Sequence, residues 1–143
     1  MPLPPELSAL FEAARLARER AYAPYSGYAV GAAVETEEGR IYSGCNVENA
    51  AFPQSLCAER VAVAKAVSEG HRRVRRLLVL TEDGGTPCGG CRSVVAEFGS
   101  PETEIIVVNV EGHWRQYRLE ELLPVAFEMS FVGRPSEPSR GRS

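Results

Sequence analysis

The sequence predicts an α/β fold in which a mixed sheet of about five strands lies between layers of helices. Apolar residues recur every three or four positions between Leu7 and Ala17, which is the period of an amphipathic helix. Two short, continuous apolar runs at 77–80 and 105–108 are typical of strands that are covered on both faces of a sheet. The segment 57–69 is apolar on nearly every side and predicts a buried helix, for which a partner subunit would supply the remaining cover.

The first third of the chain is predicted to form a helix followed by a hairpin. Prolines precede the helix, and Pro24 ends it because proline cannot continue a helix. Two strands are expected over 28–35 and 40–46, with the turn at 37–39 between them. The small residues Gly31–Ala33 in the first strand would let another backbone come close.

Two helices and a buried strand are predicted to follow this hairpin. Gly70 is expected to end the helix over 57–69, since glycine favours the position after a helix. Thr86 is expected to cap the next helix, of which Pro87 would be the first residue. Gly99 is expected to end that second helix.

The last two predicted strands are antiparallel. Only Glu111–Gly112 separates the second apolar run from the strand-like segment 113–117, and this connection is too short for a crossover helix. A short helix is expected over 119–123. The prediction is therefore one domain over 1–131, with a tail over 132–143 whose Gly, Pro, Ser and Arg content predicts disorder.

Length and charge limit the class of protein. A chain of 143 residues is the size of one ordinary domain. The net charge of -3 argues against a nucleic-acid partner, and the basic run 71–76 is expected to be a solvated link between a helix and a strand. No apolar run approaches the ~20 residues of a membrane span, and the first residues lack the features of a signal peptide. We therefore expect a cytoplasmic protein with no membrane partner and with reduced cysteines.

Three cysteines have the spacing of ligands to a catalytic metal ion. Cys57 opens one predicted helix, and Cys88 and Cys91 share a face at the start of another. Three thiolates fill three corners of a zinc tetrahedron and leave the fourth for water, which distinguishes a catalytic from a structural zinc. The positive end of each helix dipole also lowers the pKa of a thiol. The sequence therefore predicts one zinc ion per chain.

Other interpretations of these residues remain open. A structural zinc would need Cys45 as its fourth ligand, although a packed strand residue is the better interpretation of Cys45. A redox pair of Cys88 and Cys91 would leave Cys57 and Glu59 unexplained. Glu59 is either a proton shuttle beside the bound water or an ordinary first-turn glutamate that stabilises the helix dipole, and its spacing favours neither.

Two arginines directly follow the cysteine motifs. A zinc ion with three thiolates carries a net negative charge, which makes it a weaker Lewis acid. Arg60 and Arg92 are candidate donors to the sulfur atoms and would offset that charge. The alternative for each of them is a plain surface position.

The two cysteine motifs carry a resemblance to a known family. Cys57-Ala58-Glu59-Arg60 and Pro87-Cys88-Gly89-Gly90-Cys91-Arg92 resemble the H-x-E and P-C-x-x-C signature of zinc deaminases, with Cys57 in place of the histidine. Four further blocks match in order: Pro24–Ser26, Val30–Ala33, Gly44–Ala50 and Glu121–Pro124. The ordered set resembles the small, homotetrameric type of zinc-dependent cytidine deaminase, in the cytidine and deoxycytidylate deaminase superfamily.

The resemblance implies a three-layer α-β-α cytidine deaminase-like fold with one zinc ion, assembled as a homotetramer with sites at subunit interfaces. It implies hydrolytic deamination of cytidine and 2′-deoxycytidine to uridine and 2′-deoxyuridine, with release of ammonia, in pyrimidine salvage. Glu59 would take a proton from water, pass it to ring atom N3 and then protonate the departing amine.

The resemblance also implies roles for five residues around the substrate. Asn46 and Glu48 are expected to bind the ribose hydroxyls. Tyr28 stands where the family usually has phenylalanine, packed against the pyrimidine, and its added hydroxyl needs a partner. Ala58 is assigned to substrate contact, and Phe127 matches an aromatic residue that closes the site of a neighbouring subunit.

Two alternatives accompany this prediction. The first is a deaminase of a related substrate such as blasticidin-S. Enzymes that act on polynucleotides are disfavoured, because Glu111–Gly112 cannot hold the helix that they place between the last two strands. The second alternative is a non-catalytic module stabilised by zinc. Ser93 leans toward it, since the family commonly has glutamine there and a serine puts the tuning of the zinc charge in doubt.

Overall fold

The computed structural model describes residues 2–127 and contains one five-stranded sheet with helices on both faces. The strands are β1 (Gly31–Thr36), β2 (Ile41–Cys45), β3 (Val74–Thr81), β4 (Glu104–Asn109) and β5 (Trp114–Arg118). The helices are α1 (Ser8–Arg18), α2 (Ala58–Ser68), α3 (Gly89–Phe98) and α4 (Leu119–Leu122). The predicted tail over 132–143 lies outside the described residues. Within residues 2–127, the helices all fall short of the length and apolar character that crossing a bilayer requires.

The sheet is mixed, as predicted, with the strand order β2-β1-β3-β4-β5. β1 pairs antiparallel with both β2 and β3. β3 and β4 are parallel, and α3 forms the crossover that parallel neighbours require. β4 and β5 are antiparallel, which confirms the prediction from the short connection between them.

The helices form two layers because successive side chains of a strand point to opposite faces. Leu78 and Ile106 pack in a cluster with α1, on one face of the sheet. Leu77 and Ile105 pack on the other face in a cluster that includes residues of α2, α3 and α4. The three-layer arrangement is therefore confirmed, and it encloses one apolar core on each side of the sheet.

Two glycines bring the helices into backbone contact with the sheet. A Cβ atom built on Gly31 would lie 2.1 Å from the carbonyl oxygen of Ala14 in α1. One built on Gly44 would lie 2.7 Å from both the Ala58 carbonyl oxygen and the Ala62 nitrogen in α2. The predicted close approach at the small-sided strand is thus confirmed, and β2 makes a second one that positions α2.

The first helix and the first strand are shorter than predicted. α1 ends at Arg18 rather than near Pro24, and β1 begins at Gly31 rather than at position 28.

The structure also differs from the predicted elements further along the chain. The helix expected from Pro87 begins at Gly89, and Cys88 rather than Thr86 occupies its N-cap position. The basic run is partly strand, because β3 begins at Val74. The sheet and neighbouring helices cover one face of α2, and the other face, including Ala64, is exposed in the single chain, so its cover by a partner subunit stays a prediction.

Candidate metal centre and active site

The predicted metal ligands converge at the N-termini of two helices. Cys57 is the N-cap residue of α2, Cys88 is the N-cap residue of α3, and Cys91 lies in the first turn of α3. Their three Sγ atoms lie within 4.8 Å of one another. This spacing is compatible with the separation of about 3.8 Å between sulfur atoms that bind one tetrahedral zinc ion. Cys45 is not part of this cluster, and its Sγ lies 3.5 Å from the carbonyl oxygen of Arg20.

The electrostatics of the cluster favour a bound cation. The Cys91 thiol hydrogen-bonds to Cys57 and, against the opposing effect of burial, lowers the pKa of Cys57 to about 6. Cys88 and Arg60 lower the same pKa further. The reciprocal bond to Cys57, together with burial, raises the pKa of Cys91. Soft thiolates grouped in this way fit zinc, whose binding displaces the remaining thiol protons.

Glu59 is a buried carboxyl group beside these sulfurs. It lies in the first turn of α2, is 5% exposed, and lines the same cavity as Cys57 and Cys88. Burial is the main cause that raises the pKa of Glu59 to about 6, and the charge of Cys57 raises it further. Within residues 2–127 it has no cationic partner. A glutamate that only stabilised the helix dipole would not need to be buried, so this position favours the proton-transfer interpretation.

One cavity joins the metal cluster to the predicted substrate residues. It has a volume of about 330 Å³ and opens beside the N-terminus of α2. The sequence-predicted residues that line it are Tyr28, Asn46, Glu48, Cys57, Ala58, Glu59 and Cys88. Residues from four separate segments of the chain therefore face one space that a small ligand can occupy.

Asn46 and Glu48 are held in place before any ligand binds. The Asn46 side chain accepts a hydrogen bond from the Val30 nitrogen at 2.9 Å and donates one to the Tyr28 carbonyl oxygen at 2.7 Å. Glu48 accepts bonds from the Tyr25 nitrogen at 2.9 Å, the Ser26 nitrogen at 3.1 Å and the Ser26 hydroxyl. The bond from Ser26 is the main cause that lowers the pKa of Glu48, which keeps this carboxylate ionised.

The two arginines occupy different positions relative to the sulfurs. Arg60 lies close enough to Cys57 to hydrogen-bond to it and to lower its pKa. Arg92 donates instead to the Pro87 carbonyl oxygen at 2.7 Å, the Leu122 carbonyl oxygen at 2.9 Å and the Thr86 hydroxyl at 3.0 Å. Arg92 therefore ties the loop that carries Cys88 to the end of α4, and its described bonds go to oxygen rather than to sulfur.

The structure does not bring Ser93 and Phe127 into the cavity of their own chain. Both residues line a separate space of about 230 Å³ between α3 and the end of the described chain. Ser93 is exposed, and Phe127 is 76% exposed. Among the described residues, neither side chain lines the cavity that contains Cys57 and Cys88, and their predicted roles stay predictions.

Several residues that line the cavity were not among the candidate site residues of the sequence. Thr81, the last residue of β3, and Gly85 and Thr86 in the loop that follows it line the cavity, and Asp83 accepts a hydrogen bond from the Tyr28 hydroxyl at 2.5 Å. The only signal for Thr81 was a polar residue at the end of a buried strand, a place where ligands often bind. Nothing in the spacing of Asp83 links it to Tyr28, so the sequence offers no signal for this residue.

Comparisons with known proteins show the family of this chain. The family described as the cytidine and deoxycytidylate deaminase zinc-binding region matches residues 5–108. A cytidine deaminase from Sporosarcina psychrophila is 43% identical over 134 residues, covering 92% of this chain and 98% of the relative. A crystal structure of cytidine deaminase from Burkholderia pseudomallei has 45% identity and a TM-score of 0.79, covering 84% of this chain and 98% of the other. A blasticidin-S deaminase from Bacillus cereus is 26% identical over 108 residues, covering 68% of this chain and 76% of the relative.

Proposed function

Because the chain belongs to the cytidine and deoxycytidylate deaminase family, we propose that it hydrolyses cytidine and 2′-deoxycytidine to uridine and 2′-deoxyuridine, with release of ammonia. The observation that carries the proposal is the buried carboxyl group of Glu59, which faces the same cavity as two of the three clustered cysteines. The reaction consumes one water molecule for each amine released. Its place is pyrimidine salvage, because the products are nucleosides that can be used again.

The cysteine cluster and Glu59 divide the chemistry between them. Cys57, Cys88 and Cys91 would hold a zinc ion, which would act as a Lewis acid and lower the pKa of water to near 7. Glu59, with a pKa of about 6, is suited to accept a proton from water and to deliver it to ring atom N3. The same carboxylate then takes the proton of the hydroxyl group that has added to C4 and passes it to the amine, which leaves as ammonia, because the carboxylate is confined beside the leaving atom. Burial of Glu59 supports this assignment, since water cannot compete for the proton that it carries.

The remaining cavity residues hold the nucleoside. Asn46 retains one amide hydrogen beyond its bonds to the backbone, and Glu48 is an ionised acceptor, so the pair suits ribose hydroxyls. The Tyr28 ring forms a wall for the pyrimidine. Ala58 lies at the first position of α2, where its peptide N–H is free of helical bonds and can donate to the base.

The assembly we propose is a homotetramer with sites at subunit interfaces. The exposed face of α2 supports it, because Val61, Ala64 and Val67 are apolar yet not fully buried in one chain. Phe127 is 76% exposed and lies outside its own cavity, as expected for a residue that closes a neighbouring site. A sedimentation mass of four times the 15.6 kDa of one chain is the expected result, and a strictly monomeric mass would contradict it.

A cytoplasmic location is part of the same proposal. Three free thiols must stay reduced to bind a metal ion, and a reducing compartment keeps them so. The substrates are small nucleosides, so no nucleic acid or membrane partner is required.

The experiment that tests the proposed function measures substrates and metal together. Purified protein is analysed for zinc per chain and is then assayed for ammonia release from cytidine, 2′-deoxycytidine, blasticidin S and a cytosine-containing oligonucleotide. We expect one zinc per chain, turnover of both nucleosides and no turnover of the oligonucleotide. Removal of zinc with a chelator should abolish turnover, and added zinc should restore it.

The same panel separates the alternatives. The similarity to blasticidin-S deaminase justifies its substrate in the assay, and exclusive turnover of that substrate would replace our proposal. Fully zinc-loaded protein that releases no ammonia from any compound would indicate a non-catalytic module.

A further inference from the structure

A hydrogen bond joins two walls of the substrate cavity. Tyr28 comes from the segment before β1, and Asp83 comes from the loop 82–86 that follows β3. The Tyr28 hydroxyl donates to Asp83 Oδ1 at 2.5 Å. Tyr28, Gly85 and Thr86 all line the cavity, so this bond connects the wall that carries the aromatic ring to the wall that leads to Cys88.

The loop is shaped around this bond. Asp83 Oδ1 also accepts a hydrogen bond from the Gly85 nitrogen at 3.2 Å. The Thr81 hydroxyl oxygen accepts bonds from the Gly84 nitrogen at 2.7 Å and the Gly85 nitrogen at 3.0 Å. A Cβ atom on Gly85 would lie 3.3 Å from the Tyr28 hydroxyl oxygen, which is a tight contact. Glycine at this position therefore makes room for the hydroxyl.

Packing alone gives the loop little support. On its other side lies a second space of about 360 Å³, lined by Asp83, Gly84, Thr86 and residues of β4 and β5. Glu82, Asp83 and Thr86 are exposed. A loop between two open spaces depends on its hydrogen bonds, and Tyr28 supplies the one that reaches across the cavity.

We propose that the bond from Tyr28 to Asp83 clamps loop 82–86 against the segment before β1 and fixes the width of the cavity where the pyrimidine ring lies. The inference rests on the proposed function of this cavity. Tyr28 contacts the ring, and Asp83 is a positioning residue that acts through Tyr28. The clamp is a property of this chain, because a phenylalanine at position 28 has no hydroxyl to donate.

The protonation states suit the clamp. Burial, followed by the bond to Asp83, raises the pKa of Tyr28, so the hydroxyl keeps its proton. The bond from Tyr28 is the main cause that lowers the pKa of Asp83, so the acceptor is ionised. The hydroxyl proton is therefore directed to Asp83.

The test compares Tyr28→Phe, Asp83→Ala, Asp83→Asn and the double variant Tyr28→Phe/Asp83→Ala in the zinc-loaded full chain. We expect Tyr28→Phe to raise KM for cytidine about fivefold and to change kcat less than about twofold, because the clamp acts on binding. Asp83→Ala should raise KM by at least as much. Asp83→Asn keeps an oxygen acceptor and should retain most of the affinity.

Two further measurements isolate the clamp. In the double-mutant cycle, Tyr28→Phe should add nothing to Asp83→Ala, because the bond is already lost. Amide hydrogen exchange at Gly84 and Gly85, measured by NMR without substrate, should become about fivefold faster in Tyr28→Phe. Tyr42→Phe, which removes a hydroxyl remote from the cavity, and Glu82→Gln, which neutralises the exposed neighbour of Asp83, are the matched controls.

Distinct outcomes would overturn distinct claims. Additive effects of Tyr28→Phe and Asp83→Ala would mean that the hydroxyl contacts substrate directly, and unchanged KM would show that the bond does not position the ring. Unchanged exchange at Gly84 and Gly85 would refute the clamp whatever the activity. Absence of cytidine turnover by the wild-type protein would refute the proposed function instead. The hydrogen-exchange measurement would still test whether the bond from Tyr28 holds the loop.

Discussion

Glu59 combines burial with a position in the first turn of a helix, where most glutamates face solvent. It is 5% exposed, and burial raises its pKa to about 6. The cost of burying this carboxyl group is unexplained by stability alone, since among the described residues no arginine or lysine pairs with it. The proposed role in proton transfer would account for it, because such a group works best with a pKa near the working pH.

Glu59→Gln is the direct test of that role. The amide keeps the size of the side chain but cannot carry a proton between water and the base. We expect zinc content and melting temperature to stay within error of wild type, and kcat to fall about 1000-fold or more. Steady-state assays on cytidine with a zinc count per chain measure both. Glu69→Gln, at the exposed end of the same helix, is the control, and near-normal turnover in Glu59→Gln would remove the proposed mechanism.

At the scale of single residues, the sequence predicted the candidate site residues more successfully than it predicted the contacts of each side chain. The spacing of Cys88 and Cys91 put both at the start of one helix, and the three thiolates that a catalytic zinc needs made Cys57 the predicted third ligand. The partners of Arg92 and Tyr28 come from segments distant in sequence. Spacing carries no information about such contacts, so the bonds to Leu122 and Asp83 needed the folded chain.

Among the elements, α2 decides the geometry of the site. It carries Cys57 at its N-cap and Glu59 in its first turn, and Gly44 in β2 sets its distance from the sheet. An added methyl group at Gly44 would meet backbone atoms of Ala58 and Ala62, which cannot move aside as a side chain would. Gly44 therefore controls where the metal ligand Cys57 and the carboxyl group of Glu59 lie.

Gly44→Ala should consequently damage both stability and metal binding. We expect a loss of about 1–3 kcal/mol in the free energy of unfolding, measured by urea denaturation, because overpacking of this contact must displace α2. Zinc retained after dialysis should also fall. Gly90→Ala is the matched control, since a Cβ atom there meets nothing within 4 Å and alanine favours a helix. Wild-type stability in Gly44→Ala would show that α2 can shift freely.

The elements themselves were largely predictable from periodicity and from turn residues. The hairpin, the buried strands and the antiparallel final pair followed from local patterns. The start of α3 did not, because Thr86 and Pro87 form a suitable helix start by propensity alone. The bonds from Arg92 to both residues hold them in the preceding loop instead, and the N-cap position falls to Cys88.

Across the whole molecule, a chain of ion pairs links three strands. Glu35 of β1 pairs with Arg75 and, at 3.1 Å, with Arg76 of β3, and Arg76 reaches Glu104 of β4 at 2.8 Å. Burial opposes ionisation of Glu35, but the bonds from the two arginines outweigh it and lower the pKa of Glu35. The ionised carboxylate therefore stabilises the folded sheet.

Glu35→Gln should change the pH dependence of stability. A lowered folded-state pKa contributes stability above the ordinary value of 4.5, and this contribution is lost as the pH falls through the lowered value. We expect the free energy of unfolding at pH 7 to be about 1–2 kcal/mol higher for wild type than for Glu35→Gln. Solvent screening keeps this difference small, because the Arg75 side chain is 42% exposed. The difference should shrink below pH 4.5. Urea denaturation between pH 7 and pH 3.5 measures it. Glu37→Gln in the exposed turn is the control, and a difference that stays constant with pH would contradict the prediction.

Mixed assemblies test whether one subunit completes the site of another. Phe127→Ala should raise KM for cytidine about fivefold through loss of an aromatic contact, and Glu59→Gln should be inactive. When the two variants are refolded together, some sites combine Glu59 from a Phe127→Ala subunit with Phe127 from a neighbouring Glu59→Gln subunit. These sites should show the wild-type KM. A mixture of Phe127→Ala with the Glu59→Gln/Phe127→Ala double variant is the control. Activity equal to that of the unmixed variants would rule out the shared site.

The order of the three cysteines along the chain has a consequence for when a metal ion can bind during folding. Cys57 precedes the central strand β3, and Cys88 and Cys91 follow it. In a chain whose β3 has not yet joined the sheet, Cys88 and Cys91 lie close together but Cys57 is not held beside them. Binding of a metal ion by all three sulfurs would then be a late step in folding, and it would stabilise only chains whose central sheet has already formed.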